Sequence, residues 1–226
     1  MAVGPLLAWK RADGGKVGRR LIVPVLLAAA AGIAATVAGL SVLAVAGFGV
    51  AAGLALASIM IVIRRHAGFA RWGLALAHLG VAVAMVGASA NGAFGAQTLA
   101  NLALGETAQI GRFSATLANV MPTAGSNYTA LEATIRVRDG AKAIATLVPQ
   151  SRSYAFPPME TTETGIAARW DGDICAALGK PDGEGRWQVR LQWHPFIRLI
   201  WIGALMMALG GLLAAVGGPR SKGDVE

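Results

Sequence analysis

Cysteine is almost absent from this 226-residue chain, where Cys175 stands alone. An internal disulfide is excluded, and so is any metal site built on paired cysteines. In an apolar strand a single cysteine is expected to be a small core residue. Charge is scarce as well. Only 14% of the residues are charged, against 55% hydrophobic and 30 glycines. That balance is too apolar for one soluble domain of this size and suits a membrane protein. The formal charge of +8 invites a nucleic-acid reading, but its distribution argues against one. Residues 10–20 carry five basic residues and one acid, and residues 64–71 carry three basic residues and no acid. Residues 92–195 carry nine of each, the tail sums to zero, and Arg198 supplies the last charge. The excess lies at the flanks of apolar runs, which is the positive-inside pattern. Catalytic signatures are missing too. No Ser/His/Asp set, HExxH, Gly-rich phosphate loop or cysteine pair occurs, so no catalytic residue is assigned.

What is present is apolar runs. Residues 1–9 are apolar and precede a basic cluster, the reverse of a signal peptide, and are too short to span. They read as the end of an earlier helix. Residues 1–20 form a basic segment on the cytoplasmic side. Residues 21–63 hold 43 positions without a charge, twice the length of a span. Basic clusters at both ends require an even number of crossings. The expectation is a transmembrane hairpin, with helices over 21–41 and 46–63 and a turn near Gly47-Phe48-Gly49. Pro24 then falls in the first helical turn, where a missing N–H costs little. Residues 64–71, with Arg64, Arg65 and Arg71, form a cytoplasmic loop in which His66 is solvated.

Residues 72–94 are the third span, and His78 lies inside it. An ionisable side chain within a span is expensive and is a functional candidate by default. From the residues alone it could hydrogen-bond another helix, relay protons, or ligate a metal or haem iron. Gly73, Ala77, Gly80, Ala84 and Gly87 form a small-residue stripe where a neighbouring helix can approach. Ala75, Ala82 and Met85 share a nearby face with His78.

Residues 95–195 lack helical periodicity. Strands are expected at 128–138 and 141–148, joined by Asp139-Gly140, and at 186–194, with weaker ones at 113–120 and 173–178. Thr129, Leu131, Ala133, Ile135 and Val137 share one face of their strand. Trp187, Val189, Leu191 and Trp193 share one face of theirs, leaving His194 on the other. An external all-β domain, barrel or sandwich, follows. Three crossings from a cytoplasmic start put it outside. Residues 196–218 are the fourth span, with Trp193 and Trp201 at its outer interface, and residues 219–226 are a cytoplasmic tail. Gly210-Gly211 and Gly217-Gly218 are helix-packing or helix-ending glycines. The fold class is therefore a membrane α + β protein: four transmembrane helices with the β domain inserted between the third and fourth.

Several stretches resemble the C-terminal part of the CcmF/NrfE family, the large membrane subunit of the bacterial cytochrome c haem lyase. WGLALAHLGVAV at 72–83 is similar to the family's histidine-bearing helix. Ser126-Asn127-Tyr128 and ATIRVRDG at 133–140 resemble the start of its periplasmic domain. Pro149-Gln150-Ser151-Arg152-Ser153-Tyr154 resembles the family's P-E-K-R-x-Y stretch. Residues 159–179 match its acidic segments in spacing, through Thr162-Glu163 and Asp173-Ile174-Cys175. His194-Pro195-Phe196-Ile197-Arg198, with residues 201–211, resembles the final span, and residues 3–9 fit the end of a preceding family helix.

The resemblance implies an inner-membrane protein of cytochrome c maturation. His78 would be an axial ligand of haem b, the only metal implied being haem iron. Asn127, Tyr128, Arg152, Tyr154, Thr162, Glu163, Asp173 and His194 would be motif positions in a periplasmic domain. The implied partners are an N-terminal half of the lyase, other maturation subunits, a haem-carrying chaperone and apocytochrome c. The family's tryptophan-rich WWD segment and second haem b histidine have no match here. The chain is thus expected to be a truncation or one half of a split lyase, without activity alone, and the second ligand is expected from a missing N-terminal portion. Two other readings compete: a non-catalytic assembly module whose β domain docks maturation partners while His78 is structural, and an unrelated transporter accessory protein.

Overall fold

A computed structural model describes residues 14–63 and 69–217 of the chain. The expectations for residues 3–9, for Arg64, Arg65 and His66, and for the tail at 219–226 lie outside the described residues. The elements run α1 (Gly14–Val37), α2 (Val42–Ile63) and α3 (Phe69–Phe94), then ten strands, then α4 (Arg198–Val216). The helices form one compact unit and residues Phe94–Phe196 a second. Among the described residues α2, α3 and α4 are long and apolar enough to cross a membrane, while α1 carries a shorter apolar stretch, Val25–Ala34.

The first hairpin turns earlier than its composition suggests. Gly39, at φ +72°, ends α1, and its N–H donates to the Thr36 carbonyl at 2.9 Å. Glycine adopts that conformation without steric cost. Ser41 then opens α2, its Oγ accepting from the Ala44 N–H at 3.4 Å. The turn therefore sits at residues 38–41, and Gly47 and Gly49 lie inside α2. At Gly47 the missing side chain leaves room for Ser89 of α3, and at Gly49 for the Ala28 carbonyl of α1. The close approach of neighbours, not a turn, accounts for these two glycines. Because α1 starts at Gly14, Pro24 stands in the helix interior rather than in its first turn.

The β unit is a two-sheet sandwich, which decides between the two architectures expected. One sheet has the order β1-β10-β9-β8, from β1 (Ala96–Leu102), β10 (Trp187–Pro195), β9 (Gly172–Pro181) and β8 (Gly165–Arg169). The other runs β2-β3-β4-β6-β7, from β2 (Thr107–Ile110), β3 (Phe113–Ala124), β4 (Tyr128–Asp139), β6 (Gln150–Tyr154) and β7 (Met159–Glu163). β5 (Lys142–Leu147) pairs with the second half of β4, and β6 with its first half. All these pairings are antiparallel. The core between the sheets includes Ile110, Phe113, Leu117, Ile135, Leu178, Val189 and Leu191, all fully buried. Burying each of these side chains stabilises the fold by roughly 1.5–3 kcal/mol.

Alternation holds along β10, where Val189, Leu191 and Trp193 are buried and His194 faces the other way. Along β4 it loses phase. Ala133, Ile135 and Val137 are buried as expected, but upstream Ala130 is buried and Thr129 is exposed. The change comes where the partner of β4 switches from β6 to β5 and where β3 carries a bulge between Leu117 and Asn119. Cys175 also departs from expectation. It lies half-buried between the inward residues Ile174 and Ala176 of β9, on the face turned away from the core.

Candidate functional site

In α3 the small-residue stripe meets α4. A side chain on Gly73 would collide with the backbone of Gly210 and Ala214. One on Gly80 would collide with that of Gly203 and Met207, and one on Gly87 with Leu199 and Ile200. The contacts pair rising with falling numbers, so the two helices run antiparallel. The seven-residue spacing of Gly73, Gly80 and Gly87 faces the same spacing of Gly203, Gly210 and Gly217, the period of a left-handed helix pair.

His78 is nine residues into α3, about 13 Å from its start at 1.5 Å per residue. At 3.6 residues per turn it lies roughly 160° around the helix from the glycine line. The α4 contact therefore covers the opposite side. Among the described residues, neither an apolar cleft of α2 and α3 near Ser58 and Trp72 nor one near Phe48, Val83 and Leu199 is lined by His78. Its Nδ1 lies 2.8 Å from the Leu74 carbonyl, one turn back. A carbonyl only accepts, so Nδ1 carries the proton and donates. In the neutral ring Nε2 is then left with its lone pair. A backbone bond of this kind orients metal-ligating histidines and fixes their tautomer. An imidazole held in this tautomer offers Nε2 as the kind of donor that a haem iron takes.

The eight β-domain positions fall into two groups at opposite ends of the sandwich. Tyr128 pairs with Tyr154 across β4 and β6, their rings 5.5 Å apart. Arg152 lies over the Tyr128 ring at 4.5 Å, donates from Nε to Gln150 at 2.8 Å, and pairs with Glu163 at 3.2 Å. Its pKa is held above its ordinary value, chiefly through Tyr154. Asn127 is exposed in the β3–β4 turn, and Thr162 is exposed on the edge strand β7 opposite Ser151. The open groove beside this group has a volume of about 720 Å³ and is lined by Ser151, Arg152, Lys180 and Pro181 among others. Asp173 and His194 face each other across β9 and β10 at the other end. The structure brings Tyr128, Arg152, Tyr154 and Glu163 together and does not bring Asp173 or His194 to them.

That second end also holds a clasp with no counterpart among the expected residues. Asp171 is buried in the β8–β9 turn. It accepts from Arg112 at 2.6 Å and from Arg169 Nε at 2.9 Å. Arg112 also pairs with Asp139 at 3.3 Å and lies over the Phe113 ring at 4.8 Å. It thereby joins turns of both sheets. The only local signal was Asp171-Gly172, an Asp-Gly pair of the kind that made Asp139-Gly140 legible.

Hydrogen bonds from Arg169 hold the Asp171 carboxyl below its ordinary pKa, with Arg112 adding to the effect. A lowered folded pKa means stability that is present above the unfolded pKa and lost as pH falls through the folded one. Asp171→Asn is therefore expected to cost about 2 kcal/mol at neutral pH. Thermal melts of the full chain in detergent should show that gap from wild type close as pH falls below the ordinary carboxylate range. A gap independent of pH would exclude the charge as its cause.

Residues 93–195 match the family model described as the CcmF C-terminal beta-sandwich. The chain is 39% identical over 145 residues to the cytochrome c-type biogenesis protein CcmF of Pseudomonas aeruginosa, covering 64% of this chain and 22% of that protein. It is 35% identical over 231 residues to CcmF of Pseudomonas fluorescens, covering 96% and 35%. To CcmF of Escherichia coli K12 it is 33% identical over 221 residues, covering 94% and 34%. The chain spans about a third or less of the length of these relatives. A solved structure titled cytochrome c heme lyase CcmF is similar with a TM-score of 0.79 at 22% identity, covering 94% of this chain and 37% of that one. This last likeness shows the fold.

Proposed function

The chain corresponds to the C-terminal part of the CcmF-type cytochrome c-type biogenesis proteins, and on that premise we propose that it contributes to a membrane haem lyase of cytochrome c maturation. In this reading α1 joins α2, α3 and α4 as a fourth span of the inner membrane. The basic stretches at 10–20 and 64–71 stay in the cytoplasm, and the sandwich, inserted between the third and fourth spans, lies in the periplasm. His78 supplies one axial ligand to a haem b, and the second comes from the part of the relatives' length that this sequence does not cover. Bound there, the haem supplies a one-electron redox centre. The chain's own residues orient it: Leu74 holds the ring of His78 through Nδ1, and the glycine stripe holds α3 against α4. The partners are a polypeptide supplying that part, other maturation subunits, a haem-carrying chaperone and apocytochrome c. Roles for Asn127, Tyr128, Arg152, Tyr154, Thr162, Glu163, Asp173 and His194 in receiving them belong to the same proposal.

The observation that carries this reading is the relation to cytochrome c-type biogenesis proteins across almost the whole chain. A second reading, a docking module with a structural His78, draws on the Tyr128–Arg152–Tyr154 cluster at an accessible end of the sandwich. The test is complementation. Cells lacking their own CcmF-type protein receive the chain, the complementary polypeptide, or both. Covalent haem in cytochrome c, read by haem stain, is expected only with both. Full maturation with the complementary polypeptide alone would sink the proposal.

A further inference from the structure

Trp170 is a large apolar side chain left 80% exposed at the tip of the β8–β9 turn. Its neighbours are held tightly. The Asp171 carboxylate is clasped by Arg112 and Arg169, and the Asp171 carbonyl accepts from the Phe196 N–H at 3.1 Å. Phe196 itself sits at φ +54°, a conformation rarely adopted by residues other than glycine. Phe196 is also the last residue of the sandwich before the chain passes into α4. The other connection, from α3 into β1, leaves at Ala96, which pairs with Trp193 three positions before Phe196. Trp170 thus stands at the end of the sandwich where both connections to apolar helices are made. Phe156, also exposed, belongs to the opposite end, beyond Tyr154. The β4 ladder between those ends is 12 residues long, about 35 Å.

We infer that Trp170 is a lipid-interface anchor, inserted into the headgroup layer of the bilayer that α3 and α4 span. Two observations, with one general preference of indole, point to lipid as the occupant. Indole prefers the headgroup region, where its ring is sheltered and its N–H stays hydrated. The tip is hydrogen-bonded to the residue from which the chain enters a helix long and apolar enough to span. The turn is also pre-ordered, so insertion requires little further ordering of the chain. The inference rests on the membrane reading of the helices and not on the haem reading.

The test uses the full chain with Cys175→Ala, reconstituted in phosphatidylcholine–phosphatidylglycerol vesicles carrying a headgroup nitroxide quencher. A single fluorophore is placed at Ala168→Cys, Phe156→Cys or Leu205→Cys in turn. Ala168 is exposed beside the tip, and Leu205 is exposed midway along α4. The expected result is that the Ala168 probe loses most of its emission to the headgroup quencher while the Phe156 probe does not. Trp170→Glu should restore the Ala168 emission. Equal quenching at Ala168 and Phe156, or no response to Trp170→Glu, overturns the anchor. A Leu205 probe insensitive to an acyl-chain quencher overturns the membrane reading and the anchor with it.

Discussion

His78→Ala, in the chain purified together with the remainder of the relatives' length, is expected to lose the haem b spectrum proposed for it. Partners that only orient a metal-bound histidine typically cost 10–100-fold in affinity when removed, so loss of the ligand itself should exceed about 100-fold. The readouts are haem per protein and the reduced spectrum. The geometry makes the prediction specific. The Nδ1 bond to Leu74 at 2.8 Å leaves Nε2 as the nitrogen whose lone pair a metal would take. Added imidazole should therefore restore part of the spectrum in the alanine variant by occupying the vacated volume. An unchanged spectrum and haem content would sink the ligand assignment and favour the structural role. On the structural reading the variant melts at a lower temperature yet retains whatever haem the complex holds.

The second large effect belongs to the helix pair. A Cβ on Gly80 would lie 2.6 Å from the Gly203 carbonyl oxygen and 2.8 Å from the Met207 nitrogen. These are backbone atoms, so relief requires the helices to separate. Gly80→Val should cost about 1–3 kcal/mol, the usual range for overpacking. Separation also forfeits contacts along the rest of the stripe, which places the cost toward the upper end. Gly203→Val should behave alike. The double variant should cost less than the sum, because one separation relieves both clashes. Gly211→Val is the matched control in α4, since nothing lies within 4 Å of its Cβ position. The measurement is thermal unfolding in detergent. Equal losses for Gly80→Val and Gly211→Val would mean that helix propensity, not the α3–α4 contact, sets the cost.

The stripe also shows how far one chain can be read. Three- and four-residue spacing of small residues marked the face of α3 that receives a neighbour. That the neighbour is α4, with glycines at the same seven-residue spacing, became visible only when the two were brought together. The hairpin turn lies away from its expected place for a related reason. Gly47-Phe48-Gly49 resembles a turn by composition, but its glycines serve packing against Ser89 and Ala28. Gly39 and Ser41 make the turn through a positive φ and a cap, each a single-residue signal within a long apolar run.

Sequence alone determined the apolar helices α2, α3 and α4, the strands with unbroken alternation and the histidine within α3. These depend on the period of a contiguous segment and on what its residues lose by leaving water. Its motifs were also sufficient for the relation to the CcmF proteins. Tertiary structure decided the two-sheet arrangement, the short strands β1, β2, β6, β7 and β8, and the division of the motif residues between two ends of the sandwich. It also decided the Arg112–Asp171 clasp, which joins residues 59 positions apart. Such contacts depend on which sheet edges and turns meet after chain closure, and no local period encodes that meeting. His78 illustrates both levels. Its place within an apolar run is a local fact, whereas the face it occupies relative to α4 follows from packing.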